Sequence, residues 1–274
     1  MFEATWKSMT TSPKTQRRLC LAVFVGAWIG ATVLSVVFEQ TGSRSDDALT
    51  ADLPDFSVYQ DVSTRKARFF EFLRPLAEAE NALIQQEREQ LQTLHRKLRA
   101  GETLASTEQA WLQGLASRYG LQWDEQPPLE TSRKLLTRVD TIPVPLALVQ
   151  AAKESAWGRS RFARQANNLF GEWCYTEGCG IVPALRGPNK RHEVRAFDNV
   201  REAMASYMHN LNSHPRYKLL RQLRAELREK GEPVTARALT PGLLYYSERR
   251  EAYVEEVQAM IRQYHRFMAQ WQEG

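Results

Sequence analysis

The chain has 274 residues, a net charge of +5 and 43% hydrophobic residues. That is enough apolar material for one moderate core, and it excludes a wholly disordered chain. Three cysteines exclude a disulfide scaffold, and five scattered histidines form no ligand cluster, so neither a metal nor a cofactor is expected.

The N-terminal segment carries the first strong signal. Leu19 to Phe38 is a run of 20 residues without a charge, long enough as a helix to cross a bilayer core of about 30 Å. Lys7, Lys14, Arg17 and Arg18 precede it, and no acidic residue lies between Glu3 and Glu39. The positive-inside rule therefore makes 1–18 a cytoplasmic tail, 19–38 a single-pass anchor in the inner membrane, and the remainder periplasmic. A cleaved signal peptide is the rival, but its apolar region is shorter and ends in small residues, whereas this run ends Val-Val-Phe-Glu-Gln. Residues 39–64 read as a flexible linker rich in Ser, Thr, Asp and Gly.

Residues 65–128 read as a helical spacer region, a hairpin that packs onto the next domain, with a lid or a partner surface as the other roles open to it. Leu83, Leu91, Leu94 and Leu98 fall near a 3.5-residue repeat. Gly101 ends that helix, and Ser106 with Gln109 looks like a capping box opening the next, which turns Trp111, Leu112, Leu115 and Tyr119 inward. Residues 129–274 read as one mainly α domain with a small irregular or β lobe. Helices are expected over Glu130–Val139, from Pro143 to about Ser155, from Asn199, over Arg216–Lys230, and at the C-terminus, with loops and a small hairpin between Asn167 and Phe197. From Glu130 onward there are 23 basic and 16 acidic side chains, a net +7 that suits an anionic polymer but names none. No nucleic-acid motif is present.

The chemistry concentrates in Val144–Phe170, VPLALVQAAKESAWGRSRFARQANNLF. Ala147, Ala151 and Ala152 let neighbouring backbone approach closely. Glu154 stands at the last turn, with Gly158 as the stop. A carboxylate at a helix C-terminus meets the negative end of the dipole, and an apolar pocket beside Trp157 would push its pKa the same way. A carboxylic acid held protonated near neutrality is what protonation of a glycosidic oxygen requires. An exposed glutamate at a helix end is the plain alternative.

ESAWG after an alanine-rich helix, followed by NNLFG, resembles the glucosaminidase family of cell-wall hydrolases. RVDTIP, the Cys174–Cys179 pair, YMHNLNSHPRY and YYSERREAYVEEV extend the similarity to the Bax-like members of that family over about half the chain. The resemblance implies a lysozyme-like α domain that hydrolyses the β-1,4 bond after N-acetylglucosamine in peptidoglycan. It places Glu154 at the catalytic glutamate and Tyr246 at an active-site tyrosine, with Asn168 and Phe170 lining the groove. Trp157, Trp173 and Tyr253 are further candidates for contact with sugars. Many relatives carry a second carboxylate on a hairpin, yet Gly178–His192 contains no Asp or Glu. Glu177 and Glu193 flank it, Glu193 is the candidate taken for that role, and a distal carboxylate or the substrate's own acetamido group is the alternative. Cys174 and Cys179, spaced C-x4-C, lack the further ligands zinc needs, and export favours a disulfide. A lytic transglycosylase of the same fold and a non-catalytic peptidoglycan-binding scaffold remain as alternatives.

Overall fold

Asp61 starts the first long helix: its carboxylate accepts the Thr64 N–H at 2.6 Å, satisfying one of the amides that a helix N-terminus leaves unpaired. The computed structural model describes residues 52–123, 127–184, 186–187 and 189–269. Helix α1 runs Val62–Arg99, about 57 Å at 1.5 Å per residue. Phe69, Phe70, Leu73, Leu76, Ala77, Ile84, Leu91 and Leu94 form its buried stripe. Leu83, which the leucine spacing turns inward, is 45% exposed, and Ile84 occupies the inner position instead. A 3.6-residue pitch drifts against a 3.5-residue repeat, so spacing carried over several turns misplaces one residue.

Helix α2 (Ser106–Arg118) comes next. Its cap lies one residue earlier than the sequence pattern indicates, because the Glu108 carboxylate accepts the Ala105 N–H at 3.0 Å. Helix α3 (Pro128–Arg138) begins with proline at N1, where the missing N–H costs nothing. α1 packs on α3, on α4 (Val144–Glu154) and on α6 (Val200–Ser213). Residues 65–128 thus share a core with the C-terminal domain, and Thr50–Gly274 forms one compact unit. Upstream, Phe56 is 2% exposed and packs edge-on against Phe69 with ring centroids 5.3 Å apart. Ordered chain therefore begins before the residue where helical spacing becomes visible.

The end of α3 is held by arginines. Arg224, fully buried on α7 (Lys218–Glu229), donates to the carbonyls of Thr137, Arg138, Asp140 and Thr141. These are the carbonyls that a helix C-terminus and its exit leave without intrahelical donors. The Asp140 carboxylate lies 3.0 Å from Arg228, 3.6 Å from Arg88 and 3.7 Å from Arg224. Buried charges persist only when paired in this way.

The remaining elements build the candidate site. Helix α5 (Arg161–Ala166) leads into strands β1 (Trp173–Cys174), β2 (Gly180–Ile181) and β3 (Glu193–Arg195), paired antiparallel in the order β1-β3-β2. A Cβ at Gly180 would lie 1.9 Å from the Val194 carbonyl oxygen, so only glycine permits this pairing. α6 buries Val200, Ala203, Met204, Tyr207, Met208 and Leu211, the stripe that sequence spacing assigns to the core. The short helix α8 (Ala236–Leu239) and the long α9 (Glu251–Ala269) complete the described fold, which is mainly α with a small β lobe. Among the described residues no helix is long and apolar enough to cross a membrane. The expected anchor, 19–38, lies outside them, as does the tail before it.

Candidate active site

Every residue from Leu146 to Ala152 on α4 is buried, including the polar Gln150. Glu154 is the last residue of this helix and is partly buried. The turn after it is built by ESAWG. Ser155 is fully buried; its hydroxyl donates to the Ala151 carbonyl and accepts the Gly158 N–H. Ala156, Trp157 and Gly158 all take left-handed backbone, with φ of 51°, 62° and 74°. For Ala and Trp that conformation costs about 1–2 kcal/mol each, sustained here by the surrounding packing. A Cβ at Gly158 would come within 3.0 Å of the Phe56 ring, so this position also needs glycine for space.

The left-handed turn sends Trp157 away from the polar cluster around Glu154. Its ring meets Phe69, Phe70 and Tyr264 edge-on at 5.0–5.7 Å, with the Lys66 ammonium 4.9 Å from its centroid. Trp157 thereby joins α1 to α9. The pocket beside Glu154, which the sequence assigns to Trp157, is furnished by tyrosines instead.

Those tyrosines form a directed hydrogen-bond chain. The Tyr207 hydroxyl donates to Gln150 Oε1 at 2.6 Å, Gln150 Nε2 donates to the Tyr253 hydroxyl at 2.9 Å, and that hydroxyl donates to Glu154 Oε1 at 2.8 Å. Glu154 Oε2 has no hydrogen-bond partner among the described residues. Burial pushes the Glu154 carboxyl above the ordinary 4.5; the Tyr253 bond and the neighbouring Lys153 charge pull in the other direction without cancelling it. Lys153 is itself engaged by Glu256, which Lys153 and Arg249 hold down to about 2. Tyr246 stacks on Tyr253, with centroids 5.3 Å apart and planes 10° apart, and donates its hydroxyl proton to the Phe170 carbonyl at 3.0 Å.

NNLFG folds around its two asparagines. Asn167 ends α5 at φ 51°, a conformation asparagine tolerates better than most residues, and its amide donates to the Phe197 and Asp198 carbonyls. Asn168 is 2% exposed. Its Oδ1 accepts the N–H groups of Phe170 and Glu172, and its Nδ2 donates to the carbonyls of Glu172 and Arg195. Asn168 is therefore a brace that shapes the loop rather than an exposed groove residue. Phe170 is buried and stacks on Tyr207 with centroids 4.0 Å apart.

On the β lobe, Cys174 and Cys179 are bridged. Glu193, 5% exposed, accepts the N–H groups of Gly178 and Gly180 at 3.1 and 2.8 Å, using one oxygen inside the loop that the disulfide closes and the other just after it. No hydrogen bond joins Glu193 to Glu154 among the described residues. Trp173 is 57% exposed and stacks on His192 with centroids 4.2 Å apart, so it presents an open aromatic face.

Glu154, Tyr246, Tyr253 and Phe170 thus come together, while Trp157 and Glu193 serve elsewhere. Sequence reasoning missed three members of the cluster. Gln150 was detectable as the one polar residue of an apolar helix, four positions before Glu154 and hence on the same face. Tyr207 reads as core until its hydroxyl is seen to have a partner. Glu172, the residue directly after NNLFG, borders the cluster through Ser206, a contact that no local pattern reveals.

These features define a class. The sequence profile of the glucosaminidase family, described as mannosyl-glycoprotein endo-beta-N-acetylglucosaminidase, matches residues 130–266, and the chain belongs to that family. The matched segment holds the whole tyrosine cluster, and membership indicates glycosidase-type chemistry. The chain is similar to Protein bax of Escherichia coli (strain K12), at 34% identity over 231 residues that span 84% of this chain and 81% of the relative. No solved structure matches the chain.

Proposed function

We propose that the protein is a peptidoglycan glycosidase that cleaves the β-1,4 bond after N-acetylglucosamine, with Glu154 as general acid in a lysozyme-like α domain. The observation that carries this reading is the state of Glu154 itself. It is a partly buried carboxyl at a helix end, raised in pKa, held through Oε1 by Tyr253 and free at Oε2. A carboxyl oriented through one oxygen can carry its proton on the other, aimed at the glycosidic oxygen. Tyr246 contributes by fixing the wall: it bonds the Phe170 carbonyl and stacks on the tyrosine that orients Glu154. The exposed face of Trp173 suits stacking on a sugar. The net +7 beyond residue 130 suits a wall polymer that carries carboxylates.

Digestion of purified peptidoglycan with the protein, with mass spectrometry of the fragments, tests this directly. Reducing N-acetylglucosamine ends that vanish with Glu154→Gln are the expected result. Anhydro ends would indicate a lytic transglycosylase, and binding without cleavage a scaffold. The uncharged 19–38 run also supports a periplasmic domain tethered to the inner membrane. Protease added to spheroplasts is then expected to digest the C-terminal domain, and full protection would reverse that assignment.

A further inference from the structure

A hydrolytic glycosidase of this kind needs a group to activate water as well as an acid, and Glu193 is spent on backbone amides. Another carboxylate borders the tyrosine cluster. Glu172 lies two residues after Phe170, and Asn168 pins its backbone at both the N–H and the carbonyl. Its Oε2 accepts the Ser206 hydroxyl at 2.8 Å, and Ser206 in turn accepts from Arg195 at 3.2 Å. Its Oε1 is buried and has no hydrogen-bond partner among the described residues. A buried acceptor without a partner is destabilising, so an incoming donor such as water would find an open lone pair there.

Two routes tie this side chain to Glu154. In one, Phe170, adjacent in the loop, is held through its carbonyl by Tyr246, which stacks on Tyr253, the donor to Glu154. In the other, Ser206 precedes Tyr207, which reaches Glu154 through Gln150 and Tyr253. Resting on the glycosidase reading above, we propose that Glu172 is the second carboxylate of the site, the base that takes a proton from the attacking water. Glu154 gives its proton to the glycosidic oxygen as the C1–O bond breaks. The water oxygen forms the new bond to C1 and its proton passes to Glu172. The leaving sugar departs with a free hydroxyl, and proton exchange with solvent resets both carboxyls.

The electrostatics of the two carboxyls are set by burial and by their neighbours. Burial raises the Glu172 carboxyl, opposed by the Ser206 hydrogen bond and the Arg195 charge. Tyr207 and Tyr217 are each raised by burial first and then by the charges of both glutamates, so the two carboxylates act on the same pair of hydroxyls. The groups facing Glu172 are thus Ser206 and Tyr207 from α6, Arg195 from β3, Tyr217 beyond α6, and Glu154 across the tyrosines.

The test compares wall digestion by the full-length wild type with Glu154→Gln, Glu172→Gln, Glu172→Ala and Ser206→Ala. Glu172→Gln is expected to keep its fold and wall binding while cleavage falls about 10²–10⁴-fold. Added formate or azide is expected to restore part of the activity of Glu172→Ala, which no structural repair would do. Ser206→Ala removes a bond that favours the charged form, so the acid limb of its rate profile should move to higher pH. A wild type that cuts no wall material would overturn the glycosidase reading itself. Wild-type cleavage lost in Glu154→Gln but unchanged in Glu172→Gln would overturn the role of Glu172 alone. Should the Glu172 variants not fold, an acid limb in Ser206→Ala identical to that of wild type would overturn it.

Discussion

The Tyr253 hydroxyl donates to Glu154 Oε1 at 2.8 Å across a sequence separation of 99 residues, joining the C-terminal helix to the end of α4. The same hydroxyl accepts from Gln150. One atom therefore sets both the orientation of the acid and the satisfaction of a buried amide.

Tyr253→Phe removes both bonds. Gln150 Nε2 is left without an acceptor, a loss of about 1–3 kcal/mol in denaturant unfolding. The bond also lowers the Glu154 pKa, so its loss raises that value further. The alkaline limb of wall cleavage is expected to move to higher pH while the rate at the optimum falls through lost orientation. An unmoved limb would argue against Glu154 as the titrating acid.

Glu154 leaves a signature on stability independent of catalysis. Its folded pKa lies above the unfolded value, so the folded state binds the proton more tightly. The stability it contributes is fully present below the unfolded carboxyl pKa and is lost as pH rises through the folded one. Glu154→Gln should remove this component. The difference in unfolding free energy between variant and wild type is expected to grow in favour of Gln between about pH 4 and neutrality. A pH-independent difference would contradict the raised pKa.

The Cys174–Cys179 bridge closes a short loop, so its removal by Cys174→Ser with Cys179→Ser should cost about 2 kcal/mol. Glu193→Gln weakens the two amide bonds to the same loop. Both changes are expected to lower the melting temperature and increase proteolysis near Gly178. If Glu193 serves only this loop, Glu193→Gln keeps wall cleavage within a few-fold of wild type. A loss comparable to that of Glu154→Gln would return Glu193 to the chemistry.

Trp157→Ala empties the aromatic junction between α1 and α9. Loss of a fully buried aromatic side chain costs about 3–5 kcal/mol, and Trp157 is partly buried, so a smaller loss is expected. The expected outcome is a drop in the unfolding midpoint with wall affinity unchanged at temperatures where the variant is folded. Weakened binding with stability intact would place Trp157 in the groove.

The helices were legible in the sequence because their signals are local. Proline at the start of α4, glycine after α1 and the apolar stripe of α6 each act within a few residues. ESAWG and NNLFG were legible as contiguous motifs that resemble a known family, although the asparagines of NNLFG brace carbonyls 27–31 residues away. Glu154 stood out in the sequence because it opens the first of those two motifs, at the end of the alanine-rich helix.

Tertiary packing decided which partner each polar or aromatic side chain met. Gln150 meets Tyr207 and Tyr253 at separations of 57 and 103 residues, and Glu172 meets Ser206 at 34. No local pattern encodes those distances; the packing of α4 against α9, with α6 and the NNLFG loop closing the cluster, sets them. The same holds for Trp157. Its position in the motif suggests the groove, but the direction of a side chain within a run of three left-handed residues is fixed only when α1 and α9 enclose it. Sequence thus determined the elements and singled out Glu154, because these depend on near neighbours. The fold determined the surroundings of Glu154 and of Glu172, because burial and hydrogen bonding depend on residues far away in the chain.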